Sequence, residues 1–451
     1  MLFIAYHFPP SAAIGGQRIV NFARGLEAAN WSPYVLTLRD EDVEHLDRGR
    51  VDQIAGLPVA KVRQLPTTFD AVSACVKSLR GRGSRPGQPA AGAARQSEGR
   101  PGAEGISRKL RRYLLSMLAL PDFQRGWLLP AALRAIQTVR RERIGWIMTS
   151  CPPYSVHLIG LVVKLFTGAR WVADFRDPWM TTGSKRLYPT SALSKKIEGW
   201  LERQVMVRAD VVTFNVDRLR RAYQGRYADV PPEKFVFIPN GIAAPAETRT
   251  LPARKYDAFT LSYTGALYVG RSAEPVFQAI AQLIENGSIK REAIRVKLVG
   301  HCREMNGVPT ATIVSRYGLD SNVEVLDPVP QREAQDIIRQ SHLALLLAPN
   351  LPYQIPAKVY DYLGAGTRIL AIAEEGGTAD LVRDTDFGKA FPPDDVEGMA
   401  QFIYQEFTAQ ATAPDHAAVL ARFDVKRLTA DLLAHLDYID AGRQAQLAVT
   451  R

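Results

Sequence analysis

Cysteine is scarce in this 451-residue chain: Cys75, Cys151 and Cys302 are the only three. They stand far apart and without the paired spacing of metal sites, which excludes a disulfide framework and a cysteine-bound zinc and suits a reducing compartment. Long apolar runs are also lacking, and none approaches the roughly 20 residues that a membrane-spanning helix needs. Met1 to Tyr6 (MLFIAY) has no basic stretch before it and no small-residue cleavage site after it, so it reads as a first strand and not as a secretory signal. Together these absences predict a cytoplasmic, water-soluble protein. No nucleic-acid-binding motif accompanies the formal charge of +11. There is also no P-loop and no nucleophilic serine or cysteine arrangement. His7, His157, His301 and His342 lack metal-ligand spacing, so no metal is expected.

What is present is ordinary for a globular protein, with 46% hydrophobic and 23% charged residues. The length suits two domains. Strand-like runs alternate with helical patterns throughout, which predicts parallel sheets covered by helices on both faces. The first half offers LFIAYHF, a helix from Gly16 to Ala29, PYVLTL, IGWIMTS, a helix from Ser155 to Phe166, RWVADF, DVVTFN and KFVFIPN. The second offers FTLSYTG, IRVKLVG, VEVLD, LALLLAP and RILAIA. The fold class expected is α/β with two Rossmann-like doubly wound domains. Breakers between Gly241 and Tyr256 divide an N-terminal domain, 1–245, from a C-terminal domain, 246–425. Residues 426–451 add a C-terminal helix that can pack back on the first domain.

The basic excess gathers in Lys77 to Arg112 and in Arg134 to Arg143. Two readings stand: a solvated basic face, or attraction to an anionic membrane surface. Gly81 to Gly105, rich in Gly, Pro, Ala and Arg, is too poor in apolar residues to order itself and reads as an insertion. Ser107 to Leu120 (SRKLRRYLLSMLAL) reads either as a helix packed on the first domain or as an interfacial helix.

Four segments can carry chemistry. Gly15 and Gly16 join the first strand to the first helix, where free amides and the helix start favour an anion. Asp174, Arg176 and Asp177, in DFRDPW, follow a strand, where open α/β sheets hold their ligands. Two acids flanking an arginine there can orient a hydroxyl or stabilise positive charge. Gly265 repeats the strand-glycine-helix arrangement in the second half, and Arg271, directly after Gly270, can reach a diphosphate bidentately. IPAKVYDYLGAG reads as a helix start with Pro356 in the first turn and Gly366 at the end; Lys358 adds charge there, and Asp361 one turn on can accept both ribose hydroxyls.

These residues resemble the family 4 glycosyltransferases, and within them the subgroup associated with bacterial surface polysaccharide assembly. FPPSAAIGGQR, LPDFQRGWLLPA, TSCPPYSVHLIG, WVADFRDPW, IPNGI, YTGALYVGRS and IPAKVYDYLGAG carry the resemblance by their order and spacing. It implies a GT-B fold, two domains facing a central cleft, and retaining transfer of a hexose from a nucleotide sugar to a lipid-linked or oligosaccharide acceptor, with no cofactor. The donor-binding residues it implies are Gly15, Gly16, Gly265, Arg271, Lys358 and Asp361, with Asp174, Arg176 and Asp177 near the reacting carbon. Three positions depart from the family pattern: Tyr353 stands where a Glu is usual, Val276 where a Lys is, and Asp361 where the ribose Glu is. A nucleotide-sugar epimerase, a phosphorylase and a non-catalytic nucleotide-binding subunit remain alternative readings.

Overall fold

A computed structural model of the chain describes residues 1–67, 113–180, 191–242, 254–267, 270–409 and 416–449. The insertion expected at Gly81 to Gly105 and the basic start of Ser107 to Leu120 lie outside these residues. From Tyr113 the latter stretch is helical over residues 113–118. The contacts divide the chain into two units: Met1–Thr213 with Tyr223–Val236, and Phe214–Ala222 with Phe237–Arg451.

The first unit is built on β1 (Leu2–Ile4), β2 (Tyr34–Leu38), β3 (Val59–Val62), β4 (Trp146–Cys151), β5 (Arg170–Phe175), β6 (Val211–Phe214) and β7 (Phe235–Phe237), in the spatial order β3-β2-β1-β4-β5-β6-β7. The pairs from β3 through β5 run parallel. All six residues of β4 are buried, as expected of a strand covered by helices on both faces. Helices α1 (Gln17–Ala28), α2 (Leu128–Arg141), α3 (Ser155–Thr167) and α4 (Ala192–Arg208) connect these strands. Gly168 in the left-handed region ends α3, and Ser191 with Ser194 forms a reciprocal cap on α4.

The second unit repeats the plan with β8 (Phe259–Thr264), β9 (Ile294–Val299), a short antiparallel hairpin of β10 (Glu304–Met305) and β11 (Val308–Pro309), then β12 (Val323–Leu326), β13 (Leu343–Leu347), β14 (Arg368–Ile372) and β15 (Gly388–Phe391). Its parallel sheet has the order β12-β9-β8-β13-β14-β15. Helix α5 (Glu274–Glu285) follows β8, and α6 (Lys358–Ala365) follows β13. Helix α6 begins two residues after Pro356, later than the sequence suggests, and ends at Gly366 in the left-handed region as expected.

Two doubly wound sheets are therefore present. In each, the first strand sits mid-sheet, and the chain reverses its direction of travel across the sheet beside it. The carboxyl ends of β1 and β4, and of β8 and β13, flank these switch points, where open α/β sheets bind ligands. The sequence reading passed over β3, β15 and the hairpin. β3 is a half-exposed edge strand, β15 opens on a glycine, and the hairpin strands have two residues each.

Candidate functional site

In the first unit the chain leaves β1 and turns through Ile14–Gly16 into α1. Two buried arginines hold this turn. Arg50 donates from Nη1 to the carbonyls of Ser11 (2.8 Å) and Ala13 (3.0 Å), and from Nη2 to Gln17 Oε1. Arg18, in the first turn of α1, donates from Nη2 (2.9 Å) and Nε (3.1 Å) to Asp174 at the end of β5. Ser150 and Thr213 hydroxyls donate to the same carboxylate, each at 2.7 Å. Burial pushes the Asp174 carboxyl up, but Arg18 and these hydrogen bonds outweigh it and hold it below the ordinary carboxylate range.

The DFRDPW cluster is therefore not one charged group. Asp174 is 0% exposed and points into the fold, whereas Arg176 and Asp177 are half-buried beyond the strand end. The period-two alternation of a strand accounts for Asp174 and Arg176 sharing a face only while the strand lasts; β5 ends at Phe175. Arg176 donates from Nε to the Cys151 carbonyl and from Nη2 to the Pro152 carbonyl, both at 2.8 Å. Its third nitrogen, Nη1, lies over Gly15, where any Cβ would overlap the guanidinium. Burial and the Arg176 charge together push the His7 imidazole down to about 4, so it is neutral near pH 7. Trp179 is locked behind the cluster: it stacks on Tyr154 at 5.0 Å, and its indole donates to Glu198 Oε2. Buried Glu202 accepts from the Met180 amide and from the hydroxyls of Tyr223 and Tyr227.

In the second unit Gly265 ends β8 with φ of +140°, a region open to glycine. A Cβ there would overlap Lys358 Nζ, which occupies the space beside the glycine Cα. Lys358 is the first residue of α6; its amine lies 4.5 Å from the centre of the Tyr263 ring and 3.4 Å from the Tyr263 hydroxyl. The Gly265 turn is tied to the end of β9 through the Cys302 thiol, which donates to the Gly265 carbonyl at 3.3 Å, and through Leu267 N to His301 O. Burial first, and repulsion from Arg271 second, bring the Lys358 ammonium down to about 8. The charge of Arg271 is thus felt at the amine that covers the turn. Asp361 is open to solvent at its surface, yet the protein crowding around it pushes its carboxyl up to about 6 against the weaker attraction of Lys358.

Each unit thus seats a cation on the glycine turn of its first strand, at the switch point of its sheet. Lys358 and Gly265 come together in one unit, where the Arg271 charge acts on the lysine amine, and Gly15 and Arg176 in the other. Val276 does not join them: it is fully buried in the core between α5 and the sheet. Of the histidines, His157 is buried with Nδ1 bonded to Thr149, His342 accepts from the Thr260 amide, and His301 is exposed. Arg18, Arg50, Glu198 and Glu202 were not foreseen from sequence; nothing in the local pattern separates them from solvated charges. Among the described residues no group of three or more His, Cys, Asp or Glu could hold a metal ion.

Comparison with known proteins gives this geometry a family. Residues 15–241 match the glycosyl transferase 4-like domain, and residues 258–407 match glycosyl transferases group 1. No curated protein matches the chain in sequence. Among solved structures, Anabaena HepE in complex with UDP-glucose aligns over 97% of this chain and 100% of its own, with a TM-score of 0.59 and 13% identity. A glycosyltransferase from Rickettsia africae aligns over 97% and 98%, at 0.60 and 10% identity. An alpha,alpha-trehalose 6-phosphate synthase from Burkholderia multivorans aligns over 99% and 98%, at 0.60 and 15% identity. These likenesses establish the fold, the GT-B arrangement of two doubly wound α/β domains. Because the first domain match alone spans more than half of its length, the chain belongs to the glycosyl transferase 4-like family.

Proposed function

We propose that the protein is a retaining hexosyltransferase that moves a hexose from a nucleotide sugar to a lipid-linked or oligosaccharide acceptor in surface polysaccharide assembly, working without a metal in the cytoplasm at the inner face of an anionic membrane. The observation that carries the donor half of this reading is the seat of Lys358 on Gly265 beside Arg271. Two cations held close together repel each other in the free protein, and a diphosphate placed between them removes that repulsion. UDP-glucose bound to the structurally similar HepE supports the same choice of donor class.

In the mechanism that follows, the bond from the anomeric carbon to the diphosphate breaks while the acceptor oxygen attacks from the same face. The acceptor proton passes to the departing diphosphate oxygen. Negative charge growing on that diphosphate is stabilised by Lys358 and Arg271; the Gly265 and Leu267 amides instead donate to the Val299 and His301 carbonyls and hold the turn in place before the reaction begins. Asp361 accepts from the ribose hydroxyls. The first unit contributes Arg176, Asp177 and Gly15; the Gly16 amide, expected from sequence to be free, donates to the Ala13 carbonyl at 3.2 Å and is not offered. Asp174 acts through Arg18, as a positioning residue for the glycine turn.

The test is release of nucleoside diphosphate from a panel of nucleotide sugars, with the anomeric configuration of the product read by NMR. Lys358→Ala and Arg271→Ala are each expected to lower kcat by roughly 10²-fold or more, the usual effect of deleting one preorganised charge-stabilising group. An inverted product, a trapped glycosyl-enzyme adduct or near-normal turnover in both variants would overturn the reading.

A further inference from the structure

Helices α2, α3 and α4 belong to successive crossovers on one side of the first unit's switch point. Right-handed connections put all three on the same face of the sheet. α2 packs on α3, and α3 on α4, so they form one layer. The outer surface of that layer departs from the usual charged and mixed exterior of a soluble protein. α3 is apolar on its outward side as well as its inward one: Leu158, Leu161 and Val162 are half-buried, and Leu165 and Phe166 at its end are 61% and 63% exposed. On α4, Leu193, Trp200 and Val207 recur at helical spacing with Lys196 and Arg203 between them, and the Trp200 indole is 60% exposed. On α2, Leu129 and Leu133 are exposed, with Arg140 on the same stripe and Arg134 and Arg141 exposed about a quarter of a turn round the helix.

The acids are arranged just as one-sidedly. α2 and α3 contain none, and the two of α4, Glu198 and Glu202, are buried beneath it, holding Trp179 and Met180. The three helices therefore expose large apolar side chains and cations without a carboxylate of their own; Glu142, Asp210 and Asp229 at their margins pair with Arg141, Lys164 and Arg203, and Arg134, Lys195 and Lys196 stand outside these pairs.

We infer that this α2-α3-α4 face is the surface by which the first unit docks on an anionic lipid bilayer. The inference rests on the reading that the protein works at a membrane; it does not depend on which sugar is transferred. Exposed tryptophan sits well at headgroup level, and Lys and Arg stems lie along apolar surface while their charges stay among the headgroups. Charge complementarity selects an anionic bilayer: cations stand among the apolar side chains, and no residue of the three helices exposes a carboxylate. Among the described residues no helix is long and apolar enough to cross a membrane, so the contact is interfacial.

Sedimentation of the full chain with vesicles tests this without any substrate. Binding is expected to equimolar phosphatidylglycerol and phosphatidylcholine, to weaken with added salt, and to be far weaker with phosphatidylcholine alone. Trp200→Ser and Phe166→Ser are each expected to weaken it by about tenfold, equivalent to about 1.4 kcal/mol. Arg134→Glu and Lys196→Glu are each expected to weaken it by roughly fivefold or more. All four side chains are exposed, so thermal melting should not change, and turnover of a soluble acceptor should stay at the wild-type level. Absence of binding to either vesicle, equal binding to both, or wild-type binding in all four variants would overturn the inference. So would a dimer in sedimentation velocity that Trp200→Ser dissolves while vesicle binding persists, since the face would then belong to a second copy. If vesicles bind as expected but no nucleotide sugar turns over, the transferase reading falls and this one stands.

Discussion

Removing the Asp174 carboxylate separates a structural role from a catalytic one. The carboxylate is fully buried and accepts from the Arg18 guanidinium at two nitrogens and from the hydroxyls of Ser150 and Thr213. In Asp174→Ala the guanidinium of Arg18, itself buried, keeps its charge and loses its counter-ion. Breaking a buried pair from one side in this way costs about 3 to 5 kcal/mol. For a unit of this size each kcal/mol lowers the melting midpoint by roughly 2 to 4 °C, so the first unit is expected to melt roughly 6 to 20 °C earlier. Circular dichroism or scanning calorimetry reads this directly. Arg18→Met combined with Asp174→Leu should recover part of the loss by removing both charges, held short of full recovery by the Ser150 and Thr213 hydroxyls left without an acceptor. The folded carboxyl lies below its unfolded value, so the stability it contributes is present above about pH 3.9 and is lost as pH falls through the folded value. An Asp174→Ala protein that melts like wild type but has lost all turnover would refute this and return Asp174 to the reacting groups.

The other expectations follow from the two glycine turns. Gly15→Ala meets the Arg176 guanidinium, which donates to the Cys151 and Pro152 carbonyls, so it should cost about 1 to 3 kcal/mol of stability as those bonds yield and should lower kcat/KM; unchanged kinetics would show that Arg176 does not face the substrates. The Lys358 ammonium, lowered to about 8, regains its proton when a diphosphate arrives, so donor affinity should fall by up to about tenfold per pH unit above pH 8. Lys358→Met should abolish that slope, which titration at several pH values measures. In the protein without donor the same depressed group gives the opposite trend in stability, which rises with pH between about 8 and the ordinary lysine value of about 10.4.

Much of the fold was legible because its strands announce themselves. LALLLAP contains β13 as an unbroken apolar run, the pattern of a parallel strand covered on both faces, and RWVADF shows β5 by its W-V-A core although Asp174 interrupts it. β3 escaped notice because VAKV at a sheet edge has no buried run to betray it, and β15 because GKAF has too few apolar positions to show a period. In the site, glycine after a strand was a readable sign at Gly15 and Gly265. What sequence could not supply was the cation that covers each: Arg176 lies 161 positions from Gly15 and Lys358 93 from Gly265, and only folding brings them together. Arg18 and Arg50 were invisible for a related reason, since an arginine is read as solvated until the carboxylate or carbonyls that bury it are known. Val276, which the family pattern sets where a Lys is usual, is a buried core residue, a burial that its sequence position did not announce.

The seat at Gly265 is the centre of the proposed donor site. Calorimetric titration of wild type, Lys358→Met and Gly265→Ala with UDP, GDP and ADP measures it without requiring the acceptor to be known. One diphosphate should bind the wild type, and Lys358→Met should weaken it by about 1.5 to 3 kcal/mol, the range of a hydrogen bond to a charged group. Gly265→Ala, whose methyl takes the place of the Lys358 amine, should weaken it at least as much. Wild-type affinity in both variants would contradict the claim that this turn and this lysine receive the donor diphosphate.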